Sequence, residues 1–252
     1  LKIVGNKNLS TVELRAATVT VATHWRRVVG VPVPPFKKEV RIDYAELDRD
    51  VLRLRVLYWK RGWRAAQVTP TITKRDAGLV DVTLTIAEGP PTIIGELNLG
   101  PLDSLLDTHG LRPLVTARVG QPLDLITLDS IAVRIATHLD QEGYGDVSIA
   151  VTPTVDANSP RATVTMAVSK LYRTTVESVR VEGTEHYDPR VVRNTLRLKP
   201  GDLYSRTSVI ESQRALYEAG YFKRAYVRAE AGASDSLKRL IALVEEVEPR
   251  AF

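Results

Sequence analysis

Apolar and polar positions along this chain alternate between two rhythms. Leu47, Val51, Leu54 and Tyr58 stand at steps of three and four, as do Leu128, Ile131, Ile135 and Leu139. That spacing lays an apolar stripe along one face of a helix. A third helix is predicted after Ser205 as its N-cap, with Val209 and Leu216 on the buried face. Asp43 with Glu46 three residues on reads as a capping box ahead of the first helix. Elsewhere the period drops to two. Val80, Val82, Leu84 and Ile86 alternate with Asp81, Thr83 and Thr85, and Val164, Met166 and Val168 alternate with Thr163 and Thr165. This is the pattern of strands with one face buried. Leu237–Val247 holds the equivalent run near the end of the chain.

These elements recur in one order. Each long helix ends in a large apolar residue, three more residues, a glycine and an aromatic: Tyr58 to Gly62-Trp63, Leu139 to Gly143-Tyr144, and Leu216 to Gly220-Tyr221. The glycines lie 81 and 77 residues apart. Val68-Thr69-Pro70-Thr71 is echoed by Val151-Thr152-Pro153-Thr154. A strand ending in glycine opens each copy: Ile3-Val4-Gly5, Leu97-Asn98-Leu99-Gly100 and Val179-Arg180-Val181-Glu182-Gly183. A shorter helix follows over Ser10–Thr18, Leu102–His109 and Asp188–Leu196, the last with proline at its first position. Gly62, Gly143 and Gly220 fall where a left-handed C-cap is wanted, because glycine takes positive φ without steric cost. Pro70 and Pro153 cannot donate to a ladder, so their strands are predicted at sheet edges. The fold class read here is α+β: three tandem β-α-α-β-β modules, each a three-stranded mixed sheet covered on one face by two helices. The boundaries expected are 1–89, 90–171 and 172–252, with Glu88-Gly89-Pro90-Pro91 as a short stiff joint. Val31-Pro32-Val33-Pro34-Pro35-Phe36 reads as a proline-rich insert in the first module.

Composition narrows the picture. The 252 residues are 44% hydrophobic and 26% charged, with three Phe and one Met, which suits several small aliphatic cores. Cysteine is absent, which excludes thiolate catalysis and thiolate metal sites and fits an oxidising compartment. No apolar run reaches the length of a membrane-spanning helix. Leu1-Lys2-Ile3-Val4 already reads as strand, so a processed or truncated fragment is expected. The net charge of +5 is dispersed, and the cluster from Arg49 to Arg55 contains Asp50, so it reads as a solvated helix face and no nucleic-acid partner is expected.

Candidate chemistry is sparse. His24, His109, His138 and His186 stand at no ligand spacing, so no metal is expected. Glu245-Glu246-Val247-Glu248 reads as a solvated acidic strand end. Asp48 with Asp50, and Asp124 with Asp129, read as exposed caps and not as acid/base pairs. Trp25, Trp59 and Trp63 read as core and helix-end packing in place of a stacking platform. No phosphate-binding glycine loop follows a strand. No catalytic residue and no cofactor are expected, and the chain reads as a binding protein and not an enzyme.

Val4-Gly5-Asn6-Lys7-Asn8-Leu9-Ser10, Glu88-Gly89-Pro90-Pro91, Lys199-Pro200-Gly201-Asp202-Leu203-Tyr204-Ser205 and Leu216-Tyr217-Glu218-Ala219-Gly220-Tyr221-Phe222 resemble the opening turn, module junction, helix-leading loop and helix end of POTRA domains. The resemblance covers essentially the whole chain. It implies the periplasmic arm, at the outer membrane of a diderm bacterium, of a β-barrel assembly protein of the BamA or TamA type. The partners it implies are unfolded outer-membrane proteins, accessory periplasmic proteins or lipoproteins, and a covalent C-terminal barrel following Glu248-Pro249-Arg250-Ala251-Phe252. The alternatives are the arm of a dedicated secretion transporter and a scaffold that docks accessory lipoproteins. Client binding by strand addition to a sheet edge is expected. The middle strand of the third module, Ala225-Tyr226-Val227-Arg228-Ala229-Glu230, lacks the proline of the other two and is the expected edge, with Tyr226 and Arg228 placed to grip side chains; the alternative is that Arg224 and Arg228 serve only as charged guards against edge pairing.

Overall fold

The structure is a computed structural model, and it describes residues 1–20, 24–28, 31–38, 42–75 and 80–247. The elements run β1 (Lys2–Val4), α1 (Thr11–Ala16), β2 (His24–Val28), β3 (Val31–Lys38), α2 (Tyr44–Lys60), β4 (Gln67–Lys74), β5 (Val80–Ala87), β6 (Ile93–Asn98), α3 (Pro101–Thr108), α4 (Leu125–Gln141), β7 (Ser148–Val155), β8 (Arg161–Ser169), β9 (Thr175–Glu182), α5 (Pro189–Thr195), α6 (Arg206–Glu218), β10 (Phe222–Ala231) and β11 (Leu237–Glu246). Three-stranded sheets have the orders β1-β5-β4, β6-β8-β7 and β10-β11-β9. In each, the last strand of the repeat is central, and the first and middle strands are its two edges. Ile3 pairs in parallel with Leu84, and Pro70 faces Leu84 from the antiparallel side. The third sheet repeats this at Leu240, between Val179 and Ala229. A parallel pair needs a long crossover, and the two helices of each repeat supply it.

The helices seal one face of each sheet because their apolar stripes match the period-two apolar face of the strands. Leu14 of α1 and Leu47, Leu54 and Tyr58 of α2 share one core with Leu84 and Ile86 of β5. Burying each such side chain contributes roughly 1.5–3 kcal/mol. In the third repeat Val192 of α5 and Leu216 of α6 meet Val227, Ala242 and Val244 in the same way. Contacts divide the chain into two compact units, Leu1–Leu97 with Ala117–Leu128 and Pro153–Val164, and Asn98–Thr116 with Asp129–Thr152 and Thr165–Phe252. The second repeat therefore contributes residues to both.

Several local expectations are refined or corrected. The proline-rich insert, between α1 and α2, is a strand, β3, paired antiparallel with β2 through Arg27↔Pro32 and Val28↔Val31. Its prolines are tolerated because a two-stranded ladder leaves every strand an outer edge. The capping box closes only halfway. Asp43 accepts from the Ala45 and Glu46 amides at 2.9 and 3.2 Å, while the Glu46 carboxylate turns to Arg49 and Arg53. Asp50, read as an exposed cap, is fully buried. It accepts the Val19 and Thr20 amides at 2.9 and 2.8 Å and Arg53 at 2.6 Å, so it ties the chain after α1 to α2. Burial pushes its carboxyl up, but those donors push further the other way and hold it below the usual carboxylate range.

The acidic end of β11 is likewise not merely solvated. The Glu246 side chain accepts the amides of Glu185, His186 and Tyr187, each at 2.9 Å, and lies 3.0 Å from His186 Nδ1. Desolvation works against its charge, yet the three amides and His186 bring its pKa down to about 2. Glu88, directly after β5, does the same work in the first repeat. It accepts the Lys7 and Asn8 amides at 2.8 and 3.0 Å, Asn8 Nδ2 at 2.6 Å and the Tyr58 hydroxyl at 2.9 Å. Each glutamate clasps the loop between the first strand and first helix onto the end of the central strand. Glu245 is exposed and pairs with Lys223 and Arg224, and Glu248 lies outside the described residues.

Candidate functional site

Two features of the structure are candidate sites: the end of each long helix, and β10, the middle strand of the third repeat. Gly62, Gly143 and Gly220 have φ of 99°, 92° and 74°. The turn after α2 closes with the Trp63 amide on the Tyr58 carbonyl at 2.9 Å, and the turn after α4 with the Tyr144 amide on the Leu139 carbonyl at 3.0 Å. Such six-to-one bonds define a helix end that needs a left-handed residue.

Sequence reasoning saw this cap and missed its second use. Within the first unit the Gly62 carbonyl accepts the Thr92 amide at 2.8 Å, and the Thr92 carbonyl accepts the Leu123 amide at 2.8 Å. Within the second unit the Gly143 carbonyl accepts the Thr174 amide at 2.9 Å, and the Thr174 carbonyl accepts the Tyr204 amide at 2.7 Å. The same backbone lock is thus built twice, between a helix end and the strand start and loop that follow. A Cβ on Gly62 would sit 2.8 Å from the Leu123 nitrogen, and one on Gly143 would sit 3.0 Å from the Leu203 side chain. Side chains reinforce both locks. Arg61 donates to Glu13 and, at 2.7 Å, to Asp124, which also caps α4 through the Thr127 amide. Asp140 is buried and accepts the Ser205 hydroxyl at 2.8 Å and the Arg206 and Thr207 amides at 2.7 and 3.1 Å, where α6 begins. The signal available in the sequence was the pair Thr92 and Thr174, which recurs with nearly the spacing of the glycines.

β10 is an edge of its sheet. Ala225, Val227 and Ala229 face the helices, and Tyr226 and Arg228 face out. Tyr226 is 55% exposed and pairs across the ladder with Leu243, itself 50% exposed. Together with Tyr217, Arg224 and Glu245 they line a shallow concavity beside the edge. Arg228 and Glu230 pair at 3.0 Å. The ladder edge is not wholly open, because the Val227 amide already donates to Gln213 Oε1 of α6 at 3.1 Å. By the two-residue alternation of an antiparallel ladder, Ala225 and Ala229 present their amides to the same side. Pro70 and Pro153 lie on β4 and β7, the corresponding edges of the other two sheets.

The remaining candidates serve structure. His109 pairs with Glu142 and stands edge-on to Tyr144, their ring centroids 5.7 Å apart. Trp63 packs against the first core, and Trp59 is half-exposed with the Arg64 guanidinium 4.3 Å above its ring. The side chains of His24 and Trp25 lie outside the described residues. Among the described residues no three His, Asp or Glu side chains group as a metal site, and no helix is long and apolar enough to cross a membrane.

Comparison with known proteins matches this geometry to a family. The family model described as POTRA, surface antigen variable number repeat, matches residues 1–89 and 174–249. A putative outer membrane protein assembly factor of Treponema pallidum (strain Nichols) is 24% identical over 206 residues, covering 79% of this chain and 24% of that protein. The outer membrane protein assembly factor BamA of Neorickettsia risticii (strain Illinois) is 20% identical over 182 residues, covering 72% and 24%. The chain therefore spans about a quarter of the length of these curated relatives. In fold it is similar to the crystal structure of POTRA3-5 of Haemophilus influenzae BamA, with a TM-score of 0.57 at 19% identity over 97% of this chain and 94% of that one. The repeated sheet order, the family match over more than half the chain and the shared fold identify this chain as a member of the POTRA family, carrying its domains in tandem.

Proposed function

We propose that this chain is the periplasmic arm of an outer-membrane protein assembly machine, with residues 1–89, 90–171 and 172–252 as three POTRA domains and a β-barrel continuing from the last. The arm receives unfolded outer-membrane protein segments by strand addition at Ala225–Glu230. The observation that carries this reading is the edge position of β10 beside exposed Tyr226 and Leu243. A strand added there gains main-chain hydrogen bonds, which read backbone in place of sequence and so suit many clients. The apolar pair Tyr226 and Leu243 receives alternate side chains of that strand, while Arg224 and Arg228 remain charged guards against indiscriminate pairing. Binding of this kind requires no bond-making step, so no catalytic role is assigned to any residue.

A photo-crosslinking residue at Tyr226 tests the assignment. It is expected to capture an extended peptide from an outer-membrane barrel protein, and Val227→Pro, in a variant that still folds, is expected to abolish capture. Capture that is unchanged by Val227→Pro, but lost when the β4 or β7 edge is disrupted, places the client elsewhere. Capture of an accessory lipoprotein and never of client peptide favours the docking scaffold.

A further inference from the structure

The long helix of the first repeat carries a second apolar stripe that its core does not use. Leu47, Leu54 and Tyr58 of α2 turn inward and are buried, whereas Leu52, Val56 and Trp59 are 59%, 45% and 42% exposed. Steps of four and three put these three on one outward face, within an arc of about 60° and over about 10 Å of helix. The matching positions of the other long helices break the stripe. Counted back from the cap glycine they are Val133, Thr137 and Asp140 in α4, and Ile210, Arg214 and Tyr217 in α6. Charge frames the stripe unevenly. No acid occurs between Asp50 and Asp76. Within that stretch Arg53 and Arg61 are held in ion pairs. Arg55 and Lys60, exposed on the two flanks of the stripe, make no ion pair among the described residues. Arg64 makes none either, and its guanidinium lies 4.3 Å from the centre of the Trp59 ring. At the other end of the same face, four residues before Leu52, stands Asp48, exposed and likewise without an ion pair.

We propose that this face of α2 docks an amphipathic helix of a partner protein, acidic at the end that meets Arg55, Lys60 and Arg64 and basic where it passes Asp48. The side of a helix offers no free backbone donors, so the occupant binds through side chains and not by strand addition. Leu52 with Val56, and Val56 with Trp59, form the four- and three-residue ridges between which the side chains of a second helix seat. Covering Trp59 also removes water from the Arg64 guanidinium stacked on it, and a facing carboxylate then gains a charge-assisted hydrogen bond. Asp48 decides between partner classes. A flat anionic lipid surface attracts the three cations but repels an acid on the same face, whereas a helix with charges of both signs matches both ends. All of these residues lie in the first compact unit, and the inference is independent of what β10 binds.

A displayed library of peptides of about 18 residues tests it, each with an apolar helical stripe and random residues elsewhere, selected on the 252-residue chain. Survivors are expected to be enriched in Asp and Glu at one end of the stripe. Val56→Ser is expected to weaken their binding about tenfold or more. Lys60→Glu is expected to weaken it as well, and changing the facing acid of the peptide to lysine is expected to restore it, which an unfolded variant does not allow. No survivors, survivors without an acidic end, or survivors indifferent to both substitutions overturn the proposal. Binding of the chain to phosphatidylglycerol vesicles that is lost in Trp59→Ser assigns the face to lipid, and self-association lost in the same variant assigns it to a second copy; either result overturns it too. The client edge is scored separately by crosslinking at Tyr226, so the two ideas fail independently.

Discussion

Replacing each of the three cap glycines by alanine separates two costs that the sequence presents as one. All three residues have positive φ, at 99°, 92° and 74°, so each alanine bears the left-handed penalty of about 1 kcal/mol. The space around the new methyl differs. At Gly62 it meets the Leu123 backbone at 2.8 Å, and backbone pinned by the Thr92 bonds must shift. Overpacking of that kind adds about 1–3 kcal/mol. At Gly143 it meets Leu203 Cδ2 at 3.0 Å and Cβ at 3.1 Å; the 46% exposed side chain can rotate and its Cβ need give by only a few tenths of an ångström, which adds about 1 kcal/mol. At Gly220 it meets no described atom. The expected order is therefore Gly62→Ala at about 3 kcal/mol, Gly143→Ala at about 2 and Gly220→Ala at about 1. A single melting temperature is a poor readout for a chain of several cooperative parts. Native-state hydrogen exchange at Leu84, Val164 and Ala242, which lie on the central strands of the three sheets, gives each repeat its own opening free energy. Fluorescence adds a check, because all three tryptophans belong to the first repeat. Equal costs at Gly62 and Gly220 would refute the claim that junction packing distinguishes them.

Two further outcomes follow from single side chains. Glu246 titrates near 2 when folded against an ordinary value of 4.5. A depressed carboxylate stabilises the fold fully above its unfolded pKa and loses that contribution as pH falls through the folded one. The Glu185–Tyr187 loop is thus expected to loosen between about pH 4.5 and 2, with the midpoint read from the Glu246 carboxyl resonance; a Glu246→Gln variant with an unchanged acid profile for that loop refutes the clasp. Gln213→Ala frees the Val227 amide at the β10 edge, so peptide capture at Tyr226 is expected to rise several-fold at a stability cost of about 1 kcal/mol; capture that falls would make Gln213 part of the binding surface and not a placeholder.

The sequence by itself determined the elements and their order. Periods of 3.6 and two, glycine at left-handed helix ends and proline on edge strands are all local consequences of backbone sterics and of one buried face, so a reader of residues 47–63 or 80–86 meets them directly. Tandem copies multiplied that signal, which is why the β-α-α-β-β frame and the POTRA resemblance were legible without coordinates. Tertiary structure alone decided what the polar side chains do. Asp50 reaches amides 31 and 30 residues away, Glu88 reaches amides 81 and 80 away, and Gln213 reaches an amide 14 away across a helix-to-strand turn. A buried carboxylate and an exposed cap have the same letter in a sequence, and only the fold shows whether donors converge on it. Gly62 and Gly220 differ for the same reason. Positive φ is written into the residue type, whereas the Leu123 backbone beside Gly62 is placed there by chain that arrives 61 residues later, and no local spacing encodes that approach.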